Sequence, residues 1–189
     1  LAMFLSFGVS TAQQMQQTES GGCMKTVMLL LISILLLAVN VNAATPWQSW
    51  PAVGDARLTW GPWVIYDSEL RTPSGDYRPD SEDLALVIKY QRNIDKEDLL
   101  EATDEQWKHL GIPKVKRQQW LNRLAGIWPD VQKGDRLIFV VNRDGGIFYW
   151  GNQQIGVLPD KEMSMSFLYI WLSPDTSYPD IRRQLIGKV

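Results

Sequence analysis

The side chains that could carry metal, nucleophilic or acid–base chemistry are few in this 189-residue chain. His109 is its single histidine and Cys23 its single cysteine. One histidine cannot build a His-rich transition-metal site, and no thiol follows residue 43 to serve a zinc site or act as a nucleophile. The acidic run 80–83 lacks the glycine and spacing of a calcium loop and is typical of a solvated turn. No metal and no other cofactor is predicted.

Motifs for covalent catalysis and phosphate binding are also missing from the sequence. A Ser-His-Asp triad would have to use His109, and no serine lies within a Gly-x-Ser-x-Gly turn. The Asp144-Gly145-Gly146 segment is typical of a hairpin turn rather than of a phosphate loop. Paired carboxylates stay open, although no pattern singles out a pair. No catalytic residue is predicted.

Aromatic residues give the one suggestion of a ligand site. All nine tryptophans lie beyond residue 44. They either fill a core or leave an apolar gap for a small lipid-like or aromatic molecule. Arg57 and Tyr66 lie on predicted strands, and an arginine directed inward would need an anionic partner such as a ligand carboxylate or phenolate. The formal net charge is −2 and there is no basic patch, so nucleic acid is not a predicted partner.

The first half of the mature chain predicts strands followed by helices. Residues 44–53 are predicted to be a tether. Strands are predicted at 55–60 and 63–66, and Gly61-Pro62 between them should bend or bulge the strand. Residues 84–91 alternate, which is typical of a strand with one buried face. Asp95 is expected to cap a helix over 95–109, and a second helix is expected at 115–127.

The second half repeats this order. A three-stranded meander is predicted at 136–142, 147–150 and 154–157 because tight-turn residues separate the segments. Helices are predicted at about 160–172 and 178–186. Strands, helices, strands and helices in succession predict an α+β domain, with helices packed on one face of a mainly antiparallel sheet.

The N-terminal segment 24–43 predicts a secretory signal peptide. Met24-Lys25 forms a short positive region, residues 27–39 (VMLLLISILLLAV) are almost entirely aliphatic, and small residues precede a cleavage site near Ala43. The apolar run is short for a membrane span, so no stable span is expected after cleavage. The expectation is an exported, periplasmic domain of about 146 residues, residues 44–189. Residues 1–23 precede a complete signal and are expected to be non-native upstream translation.

Several segments, taken in order, resemble the chalcone isomerase-like superfamily, and most of all its bacterial exported branch. They are 53–59 (VGDARLT), 64–70 (VIYDSEL), the strand ending in Lys89-Tyr90, 134–136 (GDR), 151–156 (GNQQIG) and 167–172 (FLYIWL). The likeness covers about residues 51–186. It implies an open-faced β-sandwich of mainly antiparallel strands, with helices covering a ligand cleft.

The resemblance also implies a small set of ligand-binding residues. Arg57 matches an arginine that steadies the ligand anion in the family, and Tyr66 matches the tyrosine of the next strand motif. Lys89 and Tyr90 form the nearest match to a further pair of site residues. Leu70-Arg71 stands where the family often has Leu-Tyr, and the remaining catalytic residues of the plant isomerases have no match here.

Three functional hypotheses follow. The first is an exported, non-catalytic domain that binds a fatty acid or similar small amphiphile. The second is a structural or partner-binding envelope domain whose cleft is filled by tryptophan side chains. The third is an isomerase or lyase acting on a phenolic substrate, by holding a reactive conformer and stabilising its oxyanion.

Overall fold

A computed structural model describes residues 46–188, and the predicted signal peptide and residues 1–23 lie outside the described residues. Within residues 46–188 six strands form one antiparallel sheet in which neighbours in sequence are neighbours in space. The strands are β1 (Ala52–Trp60), β2 (Trp63–Arg71), β3 (Leu84–Tyr90), β4 (Arg136–Asn142), β5 (Gly145–Trp150) and β6 (Gln153–Leu158). The predicted meander is confirmed as β4, β5 and β6.

The β1–β2 connection differs from the sequence prediction. Gly61-Pro62 does not bend one strand but forms the turn of a hairpin, in which Trp60 pairs with Trp63. Gly61 takes a positive φ of 55°, which glycine adopts freely, and the proline ring fixes the following φ. Both strands are longer than predicted because the pairing runs on to Ala52 and Arg71.

Four helices lie where the sequence predicts them. They are α1 (Lys96–His109), α2 (Lys114–Ala125), α3 (Lys161–Leu172) and α4 (Pro179–Leu185). Asp95 occupies the position before α1, but its side chain makes no capping hydrogen bond. The Lys96 amide donates instead to Asp130 Oδ1 at 2.9 Å, so a carboxylate distant in sequence fills the predicted role. None of the described helices is both long and apolar enough to cross a bilayer.

The sheet separates a large core from a small one. Its helix-covered face carries Leu84, Leu86, Ile88 and Tyr90 of β3, as the alternation predicts, and these side chains belong to the main core. This arrangement, helices on one face of an antiparallel sheet, confirms the predicted α+β class.

The opposite face is partly covered by a segment that the sequence predicted as a tether. A single 3-10 turn, Pro46–Ser49, places the Trp47 side chain, 2% exposed, in a second cluster with Ala85, Val87, Ile138 and Tyr149. The tether interpretation is therefore wrong for Trp47, and it is also wrong for Ala52 and Val53, which belong to β1. A large aromatic beside exposed sheet surface gains more by packing than by remaining solvated.

Candidate functional site

A cavity of about 150 Å³ lies between the helix-covered face of the sheet and the helices α1 and α3. Strands β1 to β4 form its floor, and the chain after α2 and before α4 contributes to its sides. The apolar part of its wall includes Leu58, Ile65, Ile88, Leu137, Phe167 and Ile170. The exposed side chain of Asp98 belongs to the same wall, so the cavity reaches the protein surface beside the first turn of α1.

Two tyrosines stand on the floor of this cavity. Tyr66 on β2 and Tyr90 on β3 are cross-strand partners, and their ring centroids lie 6.1 Å apart in an edge-to-face arrangement. Burial raises the pKa of both phenols far above their usual range. Both therefore stay protonated in the folded protein and serve as hydrogen-bonding groups rather than as bases.

The two hydroxyls differ in their partners. Trp171 Nε1 donates to the Tyr66 hydroxyl at 2.7 Å, and this bond joins α3 to the sheet. No hydrogen bond reaches the Tyr90 hydroxyl from any residue within 46–188. Trp128, whose side chain is 5% exposed, also lines the cavity, and its Nε1 has no acceptor among the described residues. The Tyr90 hydroxyl on the cavity floor thus has no partner among the described residues, whereas Trp128 Nε1 is enclosed by protein atoms.

Polar side chains at the mouth of the cavity bond to one another. Gln106 Nε2 donates to the Tyr178 hydroxyl at 3.2 Å, and the Ser177 hydroxyl donates to Gln106 Oε1. Thr103 Oγ1 donates to the Leu99 carbonyl at 2.8 Å, within α1. These contacts tie α1 to the segment before α4, leaving Asp98 as the charged group in the wall.

The structure brings together two of the four predicted ligand-binding residues. Tyr66 and Tyr90 line the cavity, whereas Arg57 and Lys89 lie on the other face of the sheet. Side chains alternate along a strand, so Arg57 points outward because Ala56 and Leu58 on either side of it point inward. Arg57 Nε bonds Asp67 Oδ1 at 2.6 Å, and its side chain is 61% exposed. Arg57 is not part of the described wall of this cavity but lines a neighbouring groove with Tyr178, and its ligand-binding role stays a prediction.

Sequence reasoning missed several residues of the cavity wall. Trp128, Trp171, Asp98 and Gln106 line the cavity, and none of them is a candidate site residue in the sequence analysis. Helical spacing from Asp98 through Ala102 and Gln106 places these three side chains on one face of α1, a signal that was available. That this face of α1 points toward the cavity depends on tertiary packing and does not follow from the spacing.

His109 and the acidic residues form no recognisable metal centre in the described chain. Across residues 46–188, no group of three His, Cys, Asp or Glu side chains lies close enough to hold an ion. His109 is the last residue of α1, and its Nε2 lies 2.9 Å from the carbonyl oxygen of Asp175. His109 does not line the cavity that holds the two tyrosines. The described wall of the cavity offers a ligand apolar surface, tyrosine hydroxyls and the Asp98 carboxylate.

Comparison with known proteins supports the fold assignment. No family model matches the chain. An uncharacterized protein of Haemophilus influenzae is 26% identical over 156 residues, which cover 82% of this chain and 77% of that protein. Among solved structures, the Arabidopsis thaliana fatty-acid binding protein AtFAP1 matches with a TM-score of 0.60 and 7% sequence identity, over 76% of this chain and 90% of that one. This likeness confirms the predicted chalcone isomerase-like fold.

Proposed function

We propose that this domain binds a small hydrophobic or amphiphilic molecule, such as a fatty acid or a similar amphiphile, in the cavity between the sheet and α1. The observation that carries the proposal is an apolar cavity whose floor holds the Tyr90 hydroxyl, which has no hydrogen-bond partner among residues 46–188. A buried donor left unpaired costs about 1–3 kcal/mol, and a ligand oxygen would remove that cost. Apolar walls with a few polar groups are typical of small-molecule sites.

The size of the cavity limits what fits. A space of about 150 Å³ is of the order that holds one benzene-sized molecule, and drug-sized sites begin at about 300 Å³. A long acyl chain would therefore place only its head and first carbons inside and continue through the mouth beside Asp98. A small ring compound would fit entirely.

The proposed role is non-catalytic. The tyrosines keep their protons, and neither a thiol nor a histidine lies in the described wall. The fold of AtFAP1, a fatty-acid binding protein, is compatible with this role, although a likeness at 7% identity extends to the fold alone. The site geometry is the support for ligand binding.

A partner-binding role is the second candidate, and it rests on a different observation. Trp60 and Trp63 at the β1–β2 turn are 78% and 55% exposed, and the Arg92 guanidinium lies 4.6 Å from the Trp63 ring centroid. Exposed tryptophan beside arginine is a composition common in interface hot spots. Replacing Trp60 and Trp63 by serine should abolish partner capture without changing ligand content.

Export to the periplasm, and with it membership of the bacterial exported branch, is part of the proposal. It rests on the charge and hydropathy pattern of residues 24–43. Cell fractionation and mass spectrometry of the purified protein should find a mature chain that begins at or near Ala44. Cytoplasmic protein with an intact Met24–Ala43 segment would contradict this part.

Ligand binding is tested by native mass spectrometry of gently purified protein, followed by solvent extraction. We expect a bound small molecule in the wild-type chain. Ala102→Phe, which places a ring at the mouth, should remove it. Glu101→Phe is the matched control, because the neighbouring position on α1 is exposed and does not line the cavity. Empty wild-type protein that also takes up no added octanoate or acetophenone would overturn the proposal.

A further inference from the structure

A single layer of side chains separates the cavity from a groove on the protein surface. The groove lies between β1 and the start of α4, and Leu58 and Tyr178 line both spaces. We infer that Tyr178 closes the cavity on this side and thereby limits the length of the ligand that the site accepts. This inference rests on the proposed function and adds a specificity-determining residue to the same site.

The neighbours of Tyr178 show on which side of it each space lies. Ser177 and Pro179 line the groove but not the cavity. Gln106, whose Nε2 donates to the Tyr178 hydroxyl at 3.2 Å, lines the cavity but not the groove. The Tyr178 side chain therefore reaches from its backbone on the groove side to α1 on the cavity side, and its ring stands across the boundary.

Leu58 completes the boundary from the sheet. Arg57 and Thr59 line the groove but not the cavity, whereas the Leu58 side chain between them points to the helix-covered face and lines both. The boundary is thus one side chain thick at Leu58 as it is at Tyr178. Removing either side chain should join the cavity to the groove.

Tyr178 is held in place by both its backbone and its hydroxyl. Its amide donates to Thr176 Oγ1 at 3.1 Å, and its carbonyl oxygen accepts from the Arg182 amide at 3.0 Å in the first turn of α4. Gln106 donates to the hydroxyl, and the Ser177 hydroxyl in turn donates to Gln106. Because the residue is fixed at both ends, it sets a size limit instead of yielding to a longer ligand.

The test measures the affinity of straight-chain primary alcohols, from butanol to decanol, by titration calorimetry of the purified protein. These probes are uncharged, so that Arg57 in the groove and Asp98 in the cavity wall do not dominate binding. A cavity of about 150 Å³ is of the order that holds benzene, so wild-type affinity should rise about fourfold per added methylene up to about six carbons and then level. Tyr178→Ala should extend this rise, so that decanol binds at least about tenfold more tightly than hexanol.

Three further variants separate an opened boundary from other effects. Tyr178→Phe keeps the ring and should retain the wild-type limit. Ile170→Ala enlarges the cavity from α3, away from the groove, so its affinities should level about three carbons later than those of the wild type. Tyr77→Ala removes a half-buried tyrosine that lines neither space, and it should leave the series unchanged.

The outcomes separate this inference from the proposed function. A Tyr178→Ala series that levels where the wild type or Ile170→Ala does, or that Tyr77→Ala reproduces, overturns the inference and leaves the binding role intact. A wild-type series that rises through decanol without levelling does the same. If Tyr178→Ala does not fold, Leu58→Ala decides, since it opens the same boundary from the sheet with the same expected result. Wild-type protein that binds none of the alcohols and also purifies empty overturns the proposed function itself.

Discussion

The two cavity tyrosines provide a test of the hydrogen-bond pattern, because they share chemistry and burial but not partners. Tyr66 is 7% exposed and Tyr90 5% exposed, and both lie in the same core. The Tyr66 hydroxyl accepts from Trp171 Nε1, whereas the Tyr90 hydroxyl has no partner among residues 46–188. We predict that Tyr66→Phe destabilises the protein and that Tyr90→Phe does not.

The magnitude follows from the group that each substitution leaves behind. Tyr66→Phe strands the indole N–H of Trp171, a residue only 6% exposed, and an orphaned buried donor costs about 1–3 kcal/mol. Tyr90→Phe removes a hydroxyl that already lacks a partner, so its effect on the free energy of unfolding should lie within about 0.5 kcal/mol of zero. For a domain near 150 residues, Tyr66→Phe should lower Tm by roughly 3–10 °C.

Urea unfolding followed by far-UV circular dichroism measures both variants at pH 7, without added ligand. Trp171→Phe and the Tyr66→Phe/Trp171→Phe double variant complete a cycle, and a coupling of about 1 kcal/mol should appear between the two positions. Equal losses for Tyr66→Phe and Tyr90→Phe, or a coupling indistinguishable from zero, would refute the assignment of the Tyr66–Trp171 bond.

Three further predictions concern pH, close packing and the second core. Burial raises the pKa of Tyr66 and Tyr90 above the value of about 10 expected in the unfolded chain, so their stabilising contribution is complete below pH 10 and is lost as pH rises. Urea unfolding between pH 10 and 12 should show each tyrosine adding about 1.4 kcal/mol of loss per pH unit, and a slope unchanged in the double phenylalanine variant would contradict this. Gly54→Ala should lower the free energy of unfolding by about 3 kcal/mol, measured by thermal unfolding, because the new Cβ would lie 2.1 Å from the Gln184 carbonyl oxygen of α4. Gly126→Ala is the tolerated control, since the atom nearest its Cβ would be 3.5 Å away. Trp47→Phe should change the free energy of unfolding by less than about 1 kcal/mol, whereas Trp47→Ala should lower it by about 3–5 kcal/mol. A tolerated Trp47→Ala would show that this tryptophan does not stabilise the sheet.

Local sequence signals predict most of the helices and strands, but they do not predict which residues are buried on each face of the sheet. Turn residues at Asp144-Gly145 and Gly151-Asn152 predicted the meander, and the alternation of β3 predicted its helix-covered side. That alternation cannot show that Ala85 and Val87 are buried too, because their cover is Trp47, which lies far away in sequence. Gly61-Pro62 predicts a bend in one strand, whereas the structure has a two-residue turn there, because both features use the same residue types.

The position of Arg57 shows why a residue-by-residue resemblance predicts a fold better than a site. Side chains alternate between the two faces of a strand, but this shows whether Arg57 and Tyr66 share a face only once the β1–β2 register is known. That register pairs Leu58 with Tyr66 and Arg57 with Asp67.

On the face of the sheet that carries Arg57, Lys89 of β3 pairs with Asp67 of β2. A carboxylate therefore lies between two cationic positions on adjacent strands, and the Arg57 hydrogen bond holds the pKa of Asp67 below its usual range. Arg57 is thus accounted for by cross-strand pairing without any ligand. Of the four predicted ligand-binding residues, the two that line the cavity are therefore the neutral ones, Tyr66 and Tyr90.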